Sequence, residues 1–509
     1  MNPDPDNIYL RLHRAVESFD SFKVVLLGDF MLDQQIQGTV DRLSPEAPVP
    51  ILRARSHDDV RSTPGGSGNV AACLAALGAS VHCIGVVGDD VEGALLQSGL
   101  EQLGCDVNGL ARDASRPTTV KQSLVGLAQH RHPQKMFRLD IESTDPLSAE
   151  IESRMLQSFA GELAGASVVC IEDYGKGVCS ERVCQEVIRL AHAQGIAVYV
   201  DPAPRKCYAR YAGADLITPN RSEAEQVLGD TTGQLSGEDR VEHGKRIAAA
   251  LSAAVDIERV VVTIDRDGAV LVEQSDAEPV HVPTRARNVY DVTGAGDVVL
   301  AVLATSHAHE LGAVESVHLA NVAAGLEVET FGVRPIPLQE LIHALLREIP
   351  GGASAERQLE QLLPELARLR SEGRRIVLTN GCFDVIHAGH VAYLREAGLV
   401  GDVLVVGVNS DAQVRALKGP DRPIFSQQER LEILGELKCI DYLVLFEEPS
   451  AEELIKAVQP DVYVKGGDYA PQEIAEFQFL TELGIEVRVL ALRPGLGSSA
   501  LIERIRSES

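Results

Sequence analysis

Basic residues are scarce in this chain. Its 509 residues carry 47 Lys and Arg against 74 Asp and Glu, a formal net charge of −27. Polyanions are held by clustered cations, so this balance argues against general nucleic-acid or anionic-membrane binding. Small phosphorylated substrates stay open, because a pocket can be locally basic. Paired cysteines are lacking too. The nine cysteines are an odd count and none stand as Cys-x-x-Cys, which suits reduced thiols in a cytoplasm better than a disulfide framework or a zinc site. No apolar run approaches the roughly 20 residues that span a bilayer. The opening Met-Asn-Pro-Asp-Pro-Asp has no basic stretch leading into an apolar one, so no signal peptide is expected. No short-period repeat or low-complexity tract is present. What remains is 45% hydrophobic and 24% charged, an ordinary globular composition with length for about two or three domains. A soluble cytoplasmic protein is expected.

From about residue 22 short β-rich runs alternate with longer helical patterns. Strands are expected at 23–27, 82–87, 167–171, 197–200, 215–218 and 259–264. Several run into Gly, Asp or Pro-Asn, which are turn signals. This alternation predicts an α/β fold with a mainly parallel sheet covered by helices. Ligands in such sheets bind beyond the carboxyl ends of the strands, where Asp29, Asp173, Asp201 and Asn220 fall. The pattern breaks near 348–373. Ile-Pro-Gly-Gly-Ala-Ser at 349–354 reads as a linker, and 356–372 has helical spacing with Leu359, Leu362, Leu363, Leu366 and Leu369 on one stripe. Lasting only about two heptads, the stripe reads as a packing face rather than a coiled coil. A second α/β pattern begins at Arg375. The expected domains are therefore 1–347, a linker with a helix at 348–373, and 374–509.

Two segments carry phosphate chemistry. The first is Asp-Val-Thr-Gly-Ala-Gly-Asp at 291–297, at a strand-to-helix transition. Helix N-termini offer unpaired N–H groups and partial positive charge, and glycines let those groups approach phosphate closely. Phosphoryl transfer to an alcohol needs a base, donors for the moving phosphoryl and a nucleotide pocket. Asp297 is placed for the base, Gly294 and Gly296 for the donors. A lone Gly-x-Gly-Asp fits a simple N-capped turn equally well.

Three further segments distinguish the two. Gly28-Asp29-Phe30-Met31-Leu32-Asp33, Gly65-Gly66-Ser67-Gly68-Asn69-Val70-Ala71 and Asn220-Arg221-Ser222-Glu223 precede the 291–297 segment in order. Together the four resemble the ribokinase-like carbohydrate kinase family. The resemblance implies sugar contacts from Asp29, Asp33 and Asn69, and Asp297 as base. It implies ATP contacts from Asn220, Arg221, Ser222, Glu223, Thr263, Gly294 and Gly296, with Mg²⁺ at Glu223. Mg²⁺ favours oxygen ligands, which suits Glu223 independently. Lys121, Arg138 and Lys176 are candidates for anchoring a sugar phosphate, a structural salt bridge being the alternative for each. One departure is visible: Thr263-Ile264-Asp265-Arg266-Asp267-Gly268 lacks the first glycine of the family's Thr-x-Gly-x-x-Gly.

The second segment is Gly-Cys-Phe-Asp-Val-Ile-His-Ala-Gly-His at 381–390. His387 and His390 are three residues apart at an expected helix start, so they share a face. Imidazoles there can donate to an α-phosphate and stabilise the charge that grows as pyrophosphate leaves. Metal ligation or a surface pair is the alternative, although a catalytic zinc usually takes about three protein ligands and no third is evident. With Thr379 and Asn380 before it, and Lys465-Gly466-Gly467-Asp468-Tyr469 later, the segment resembles the His-x-Gly-His nucleotidyltransferase family that includes the cytidylyltransferases. A smaller Rossmann-like domain is implied. Lys418 and Arg430 are expected on the triphosphate, a solvated surface charge being the alternative for each. Ser498 and Ser499, in Gly-Ser-Ser-Ala where the family has a Ser/Thr-rich run, are expected to bind phosphate.

The two halves in one chain are similar to a family of bifunctional heptose-phosphate enzymes. That resemblance implies C1 phosphorylation of D-glycero-β-D-manno-heptose 7-phosphate by ATP. It also implies adenylyl transfer from ATP to the heptose 1-phosphate, giving ADP-heptose and pyrophosphate for lipopolysaccharide core assembly. The kinase product is a 1,7-bisphosphate, so a separate phosphatase must act between the steps. A homodimer is implied as well. Two alternatives stay open: another sugar kinase fused to a polyol-phosphate cytidylyltransferase, and a nucleotide- or sugar-binding regulator on a decayed enzyme scaffold.

Overall fold

Strands such as Val168–Glu172 and Val403–Asn409 are runs of β-branched and small apolar residues buried along their whole length. Such strands fit the interior of a sheet covered on both faces. The computed structural model describes residues 8–54, 60–127, 134–229, 239–274, 277–284, 293–329, 333–348, 359–371, 373–437, 439–448, 450–467 and 470–490. The chain splits into two compact units, Leu10–Leu345 and a second made of Leu346–Ser509 with the residues before Leu10.

The first unit is built on a nine-stranded sheet. Its order is Val280–Val282, Ala269–Val272, Arg259–Thr263, Leu216–Ile217, Ala197–Asp201, Val168–Glu172, Phe22–Gly28, Ala79–Gly88, Asp106–Asp113. The pairings are parallel from Arg259–Thr263 through to Asp106–Asp113. The first two strands add on antiparallel, a detail the sequence pattern did not predict. The strand expected at 215–218 is short, because Pro219 has no N–H to continue the ladder. The chain leaves Phe22–Gly28 toward one edge and returns to its other side at Val168–Glu172, which makes their carboxyl ends a topological switch point. Asp29 and Asp173 sit there.

Helix Ala295–Ala308 is buried continuously from Asp297 to Ser306. A helix apolar all round belongs inside a protein, and this one packs under Val168–Glu172 and Ala197–Asp201. Its N-terminus therefore comes up beneath the switch point. A second sheet of five strands, Phe30–Leu43, Pro50–Arg53, Val60–Gly66, Thr119–Leu127 and Gln134–Ile141, extends from the same end.

The second unit has five parallel strands in the order Tyr442–Phe446, Val403–Asn409, Ile376–Gly381, Val462–Gly466, Glu486–Leu490. The switch point falls beside Ile376–Gly381, just before the histidine pair. Helix Leu359–Ser371 buries Leu362, Leu366 and Leu369 in this unit's core with Ile376, Leu378 and Val405. The leucine stripe is thus a packing face. The linker at 349–354 lies outside the described residues.

Two candidate active sites

In the first unit the simple capping alternative for Asp297 fails. Gly294 is the N-cap, held at φ 94°, a left-handed conformation that favours glycine. Asp297 lies one turn in, 4% exposed. Its carboxylate accepts from Asn69 Nδ2 at 2.6 Å and from the Tyr174 hydroxyl at 2.9 Å. Burial pushes its pKa up to about 6, against the two hydrogen bonds and the Lys121 charge. A buried carboxylate whose pKa is raised toward neutrality suits a general base.

Tyr174 is delivered by a clamped loop. Asp29 accepts the backbone N–H groups of Tyr174 and Lys176 at 2.9 Å each and of Val178 at 3.2 Å. Asp173 accepts from Gly175 N and from the Tyr211 hydroxyl, each at 2.6 Å. Expected on the sugar, Asp29 has its carboxylate engaged by the loop backbone, so it positions Tyr174. Asp33 lies on Phe30–Leu43 against Gly65, where a Cβ would come within 2.4 Å of its carboxyl carbon. Burial raises its pKa, opposed by Lys121, Lys135 and Arg138. Lys121 Nζ stands 4.3 Å from the Tyr174 ring centroid and its charge reaches both Asp33 and Asp297. Lys176 pairs with Glu142 at 2.7 Å. Arg138 is exposed and doubly bonded to Asp140 at 2.9 Å, and only its charge acts on Asp33.

Asn220 and Glu223, expected on ATP, form a reciprocal capping box at the start of Arg221–Leu228. Arg221 pairs with Glu225 at 2.9 Å and Asp265 at 3.2 Å, and Ser222 is exposed. Thr263 bridges to Asn220. The missing glycine is explained locally: Asp265 stands in its place with φ 56°. Asp is among the few residues that visit this region routinely, so the turn survives the substitution.

A third group escaped the sequence reading. Oxygens of Glu172, Asp201 and Asp297 all lie within 4.8 Å of one another. Asp201 Oδ2 would stand 3.3 Å from a Cβ at Gly296, so that glycine also makes room for a carboxylate. The signal for Glu172 was a charged residue closing an otherwise apolar buried strand.

In the second unit His387 is the N-cap of Ala388–Gly398, and its Nδ1 accepts the Gly389 N–H at 3.1 Å. That bond leaves the ring proton of the neutral imidazole on Nε2, making it a donor. The His390 ring lies 4.1 Å away, centroid to centroid. Burial, with the charges of His387 and Lys418, lowers its pKa to about 4, and its buried Nδ1 has no hydrogen-bond partner among the described residues. Lys418 ends helix Asp411–Lys418, is exposed, and its charge reaches His390 and Cys382. Lys465, 2.8 Å from Asn380 Oδ1, adds a second cation. Ser498 and Ser499 lie outside the described residues.

Arg430 is not a solvated surface charge, being 0% exposed. Its guanidinium donates to Phe425 O at 3.2 Å, Cys382 O at 2.5 Å and Asp411 Oδ1 at 2.8 Å. It ties the helix Gln427–Gly435 to the loop that carries the histidines. Arg430→Ala is expected to destabilise this unit by about 3–5 kcal/mol, the usual cost of breaking a buried pair. Lys, a point donor, will not restore the three-way geometry. Urea unfolding checks both variants.

The chain matches the pfkB family carbohydrate kinase over residues 22–340 and the cytidylyltransferase-like family over 378–504. It is 38% identical over 488 residues to the "Bifunctional protein HldE" of Geotalea uraniireducens (strain Rf4), covering 96% of each chain. To the protein of that name from Azotobacter vinelandii (strain DJ / ATCC BAA-1303) it is 40% identical over 501 residues, 97% of this chain and 99% of the other. Among solved structures, Escherichia coli phosphofructokinase-2 in complex with substrates and products covers 64% of this chain and 98% of its own, at TM-score 0.52 and 18% identity. That likeness concerns the fold of the first unit.

Proposed function

Because the chain belongs to the HldE family of bifunctional enzymes, a pfkB-type carbohydrate kinase followed by a cytidylyltransferase-like unit, we propose residue roles for two independent reactions. The enzyme acts in ADP-heptose biosynthesis. One half phosphorylates D-glycero-β-D-manno-heptose 7-phosphate at C1 with ATP. The other joins heptose 1-phosphate to AMP from ATP, releasing pyrophosphate. The observation that carries this is the presence of both reactive centres, Asp297 and the His387/His390 pair, in a chain alignable end to end with bifunctional relatives. Fusion to a cytidylyltransferase for a polyol phosphate, and a non-catalytic regulator, are not favoured. Residues 1–347 serve as the kinase, 348–373 as a linker with a helix, and 374–509 as the transferase.

In the kinase, Asp297 takes the C1 hydroxyl proton while the Gly294–Gly296 turn faces the moving phosphoryl. Asn69 and Tyr174 fix the carboxylate, and Asp33 and Lys121 face the sugar phosphate. ATP-dependent phosphoryl and nucleotidyl transfer draw on a divalent cation, and the oxygen-only donors Glu223, Asp201 and Glu172 fit Mg²⁺. Bound Mg²⁺ neutralises phosphate charge. Asn220 and Glu223 are positioned for the nucleotide side. In the transferase, His387 Nε2–H and His390 face the α-phosphate, and Lys418 and Lys465 hold the triphosphate. The 1,7-bisphosphate product is not the transferase substrate, so a separate phosphomonoesterase works between the halves.

A homodimer fits the second sheet of the kinase. Strand Gln134–Ile141 is exposed throughout, with Phe137 63% exposed and Leu139 and Ile141 beside it. Apolar exposure of that kind marks an interaction surface. No helix among the described residues is long and apolar enough to cross a membrane. The nine free cysteines accord with a reducing cytoplasm.

The base also sets a pH dependence. Asp297 must be ionised to accept a proton, and the fold raises its pKa from 3.8 to about 6. Kinase kcat/KM should therefore fall as pH drops through about 6, well above the range of an ordinary carboxylate. A profile flat to pH 5 would contradict the assignment.

A further inference from the structure

A working imidazole is usually oriented by a hydrogen bond at one ring nitrogen, which fixes what the other nitrogen does. His387 has such a bond, from the Gly389 N–H. His390 has none at Nδ1, which is buried and without a hydrogen-bond partner among the described residues. Two rings pack against it. His387 lies 4.1 Å away between centroids, and Phe383 meets it edge-on at 5.6 Å and 64°. Phe383 itself stands at φ 47°, a left-handed conformation that a bulky residue keeps only where its surroundings impose it. Both of its neighbours are pinned. Cys382 O accepts from the buried Arg430 guanidinium, and the Asp384 carboxylate pairs with Arg422 and accepts the Ile424 N–H at 2.6 Å. The Phe383 ring is 5% exposed and belongs to the core cluster of Val377, Tyr393 and Leu431. A Cβ at Gly381 would stand 3.2 Å from that ring, so the glycine makes room for it.

We propose that Phe383 is a positioning residue of the transferase: its ring edge, in place of a hydrogen bond at Nδ1, sets the orientation in which His390 faces the α-phosphate. The inference rests on the nucleotidyl-transfer reading of this unit. Backbone strain at Phe383 is the cost of bringing the ring to that place, and the bonds of Arg430, Arg422 and Ile424 hold the strained loop shut. The ring also keeps water from His390, so the imidazole stays neutral. The titratable groups that act on His390 are His387 and Lys418. The others around it are turned elsewhere. Asp384 faces Arg422 and Ile424, Lys465 donates to Asn380, and the Tyr393 hydroxyl donates to Val464 O. Burial raises the pKa of the Cys382 thiol, which keeps it uncharged.

Phe383→Leu keeps an apolar side chain in the core but removes the ring. In the full-length enzyme its kcat for pyrophosphate formation from ATP and heptose 1-phosphate should fall by about 10–10²-fold, because a small misplacement of an active-site group costs turnover. KM for ATP should change little, since binding rests on other groups. ADP formation by the kinase should not change. Phe383→Tyr keeps the ring and should stay near wild type. Nuclear magnetic resonance of histidine-labelled enzyme supplies the second readout, with the His390 signal identified by its absence from His390→Ala. The fold lowers the His390 pKa to about 4, so the wild-type signal should stay that of a neutral ring down to about pH 5. In Phe383→Leu water reaches the ring, and the signal should titrate at higher pH, toward the ordinary imidazole value of about 6.5. This readout needs no substrate, so a wild type that releases no pyrophosphate and a failure of the inference are separate results. Phe383→Met, another flexible apolar filler, takes the place of the Leu variant if that does not fold. Wild-type kcat in the ringless variant, a loss confined to KM, or an unmoved His390 titration would overturn the proposal.

Discussion

Asp297→Asn should lower kinase turnover by about 10²–10⁴-fold, the range that a positioned general base contributes, while pyrophosphate release by the same protein continues unchanged. The Asn side chain is isosteric, so packing at the buried N-terminal turn is kept. Asn69 and Tyr174 can still meet its carbonyl oxygen. What is lost is proton affinity: an amide cannot take the C1 hydroxyl proton as the phosphoryl departs. The effect belongs in kcat, with KM for ATP and sugar phosphate changing little, because binding rests on other groups. Coupled assay of ADP formation with heptose 7-phosphate reads it. A variant within a few-fold of wild type would remove Asp297 from the base position.

His390→Ala should do the reverse. Pyrophosphate formation from ATP and heptose 1-phosphate is expected to fall by about 10²–10³-fold, the loss typical of removing one preorganised donor to a developing charge, with ADP formation by the kinase intact. The imidazole is buried, with its pKa lowered to about 4. It is therefore neutral at working pH and acts as a fixed dipole, not as a proton reservoir. Transferase activity should accordingly show no loss assignable to His390 between pH 8 and 6, in contrast to the kinase. His387→Ala should match it in direction, since the Gly389 N–H bond to Nδ1 fixes its Nε2 as donor. Retention of transferase activity in both single variants would rule out the histidine pair as the catalytic centre.

Much of this was legible in the sequence because phosphate sites are local. A glycine turn, a helix start and one or two polar side chains lie within ten residues, as at 291–297 and 381–390. The parallel strands were legible for a similar reason: buried on both faces, they read as unbroken apolar runs. The second sheet of the kinase was missed because it lacks that signature. Strand Gln134–Ile141 is exposed at every position, and Phe30–Leu43 runs from buried to exposed with Gln, Asp and Gly in its middle. Tertiary partners were illegible in principle. Tyr174 and Asp297 are 123 residues apart, and nothing in Asp-Tyr-Gly-Lys-Gly announces which carboxylate its hydroxyl meets. The partners of Arg430 were illegible for the same reason. A lone Arg on a helix is most often a solvated charge, but here the acceptors Cys382 and Asp411, 48 and 19 residues away, are supplied by the fold. Asp265 went the other way: the sequence departs from the family's turn by one glycine, and φ 56° at Asp265 keeps the left-handed conformation.

The central claim is that one chain runs two reactions at two separate sites. It is tested most directly by giving the purified enzyme ATP and Mg²⁺ with either heptose 7-phosphate or heptose 1-phosphate, and following ADP and pyrophosphate separately. The account predicts ADP alone from the 7-phosphate and pyrophosphate with ADP-heptose from the 1-phosphate. Neither product from folded protein, or pyrophosphate only when CTP replaces ATP, would contradict it.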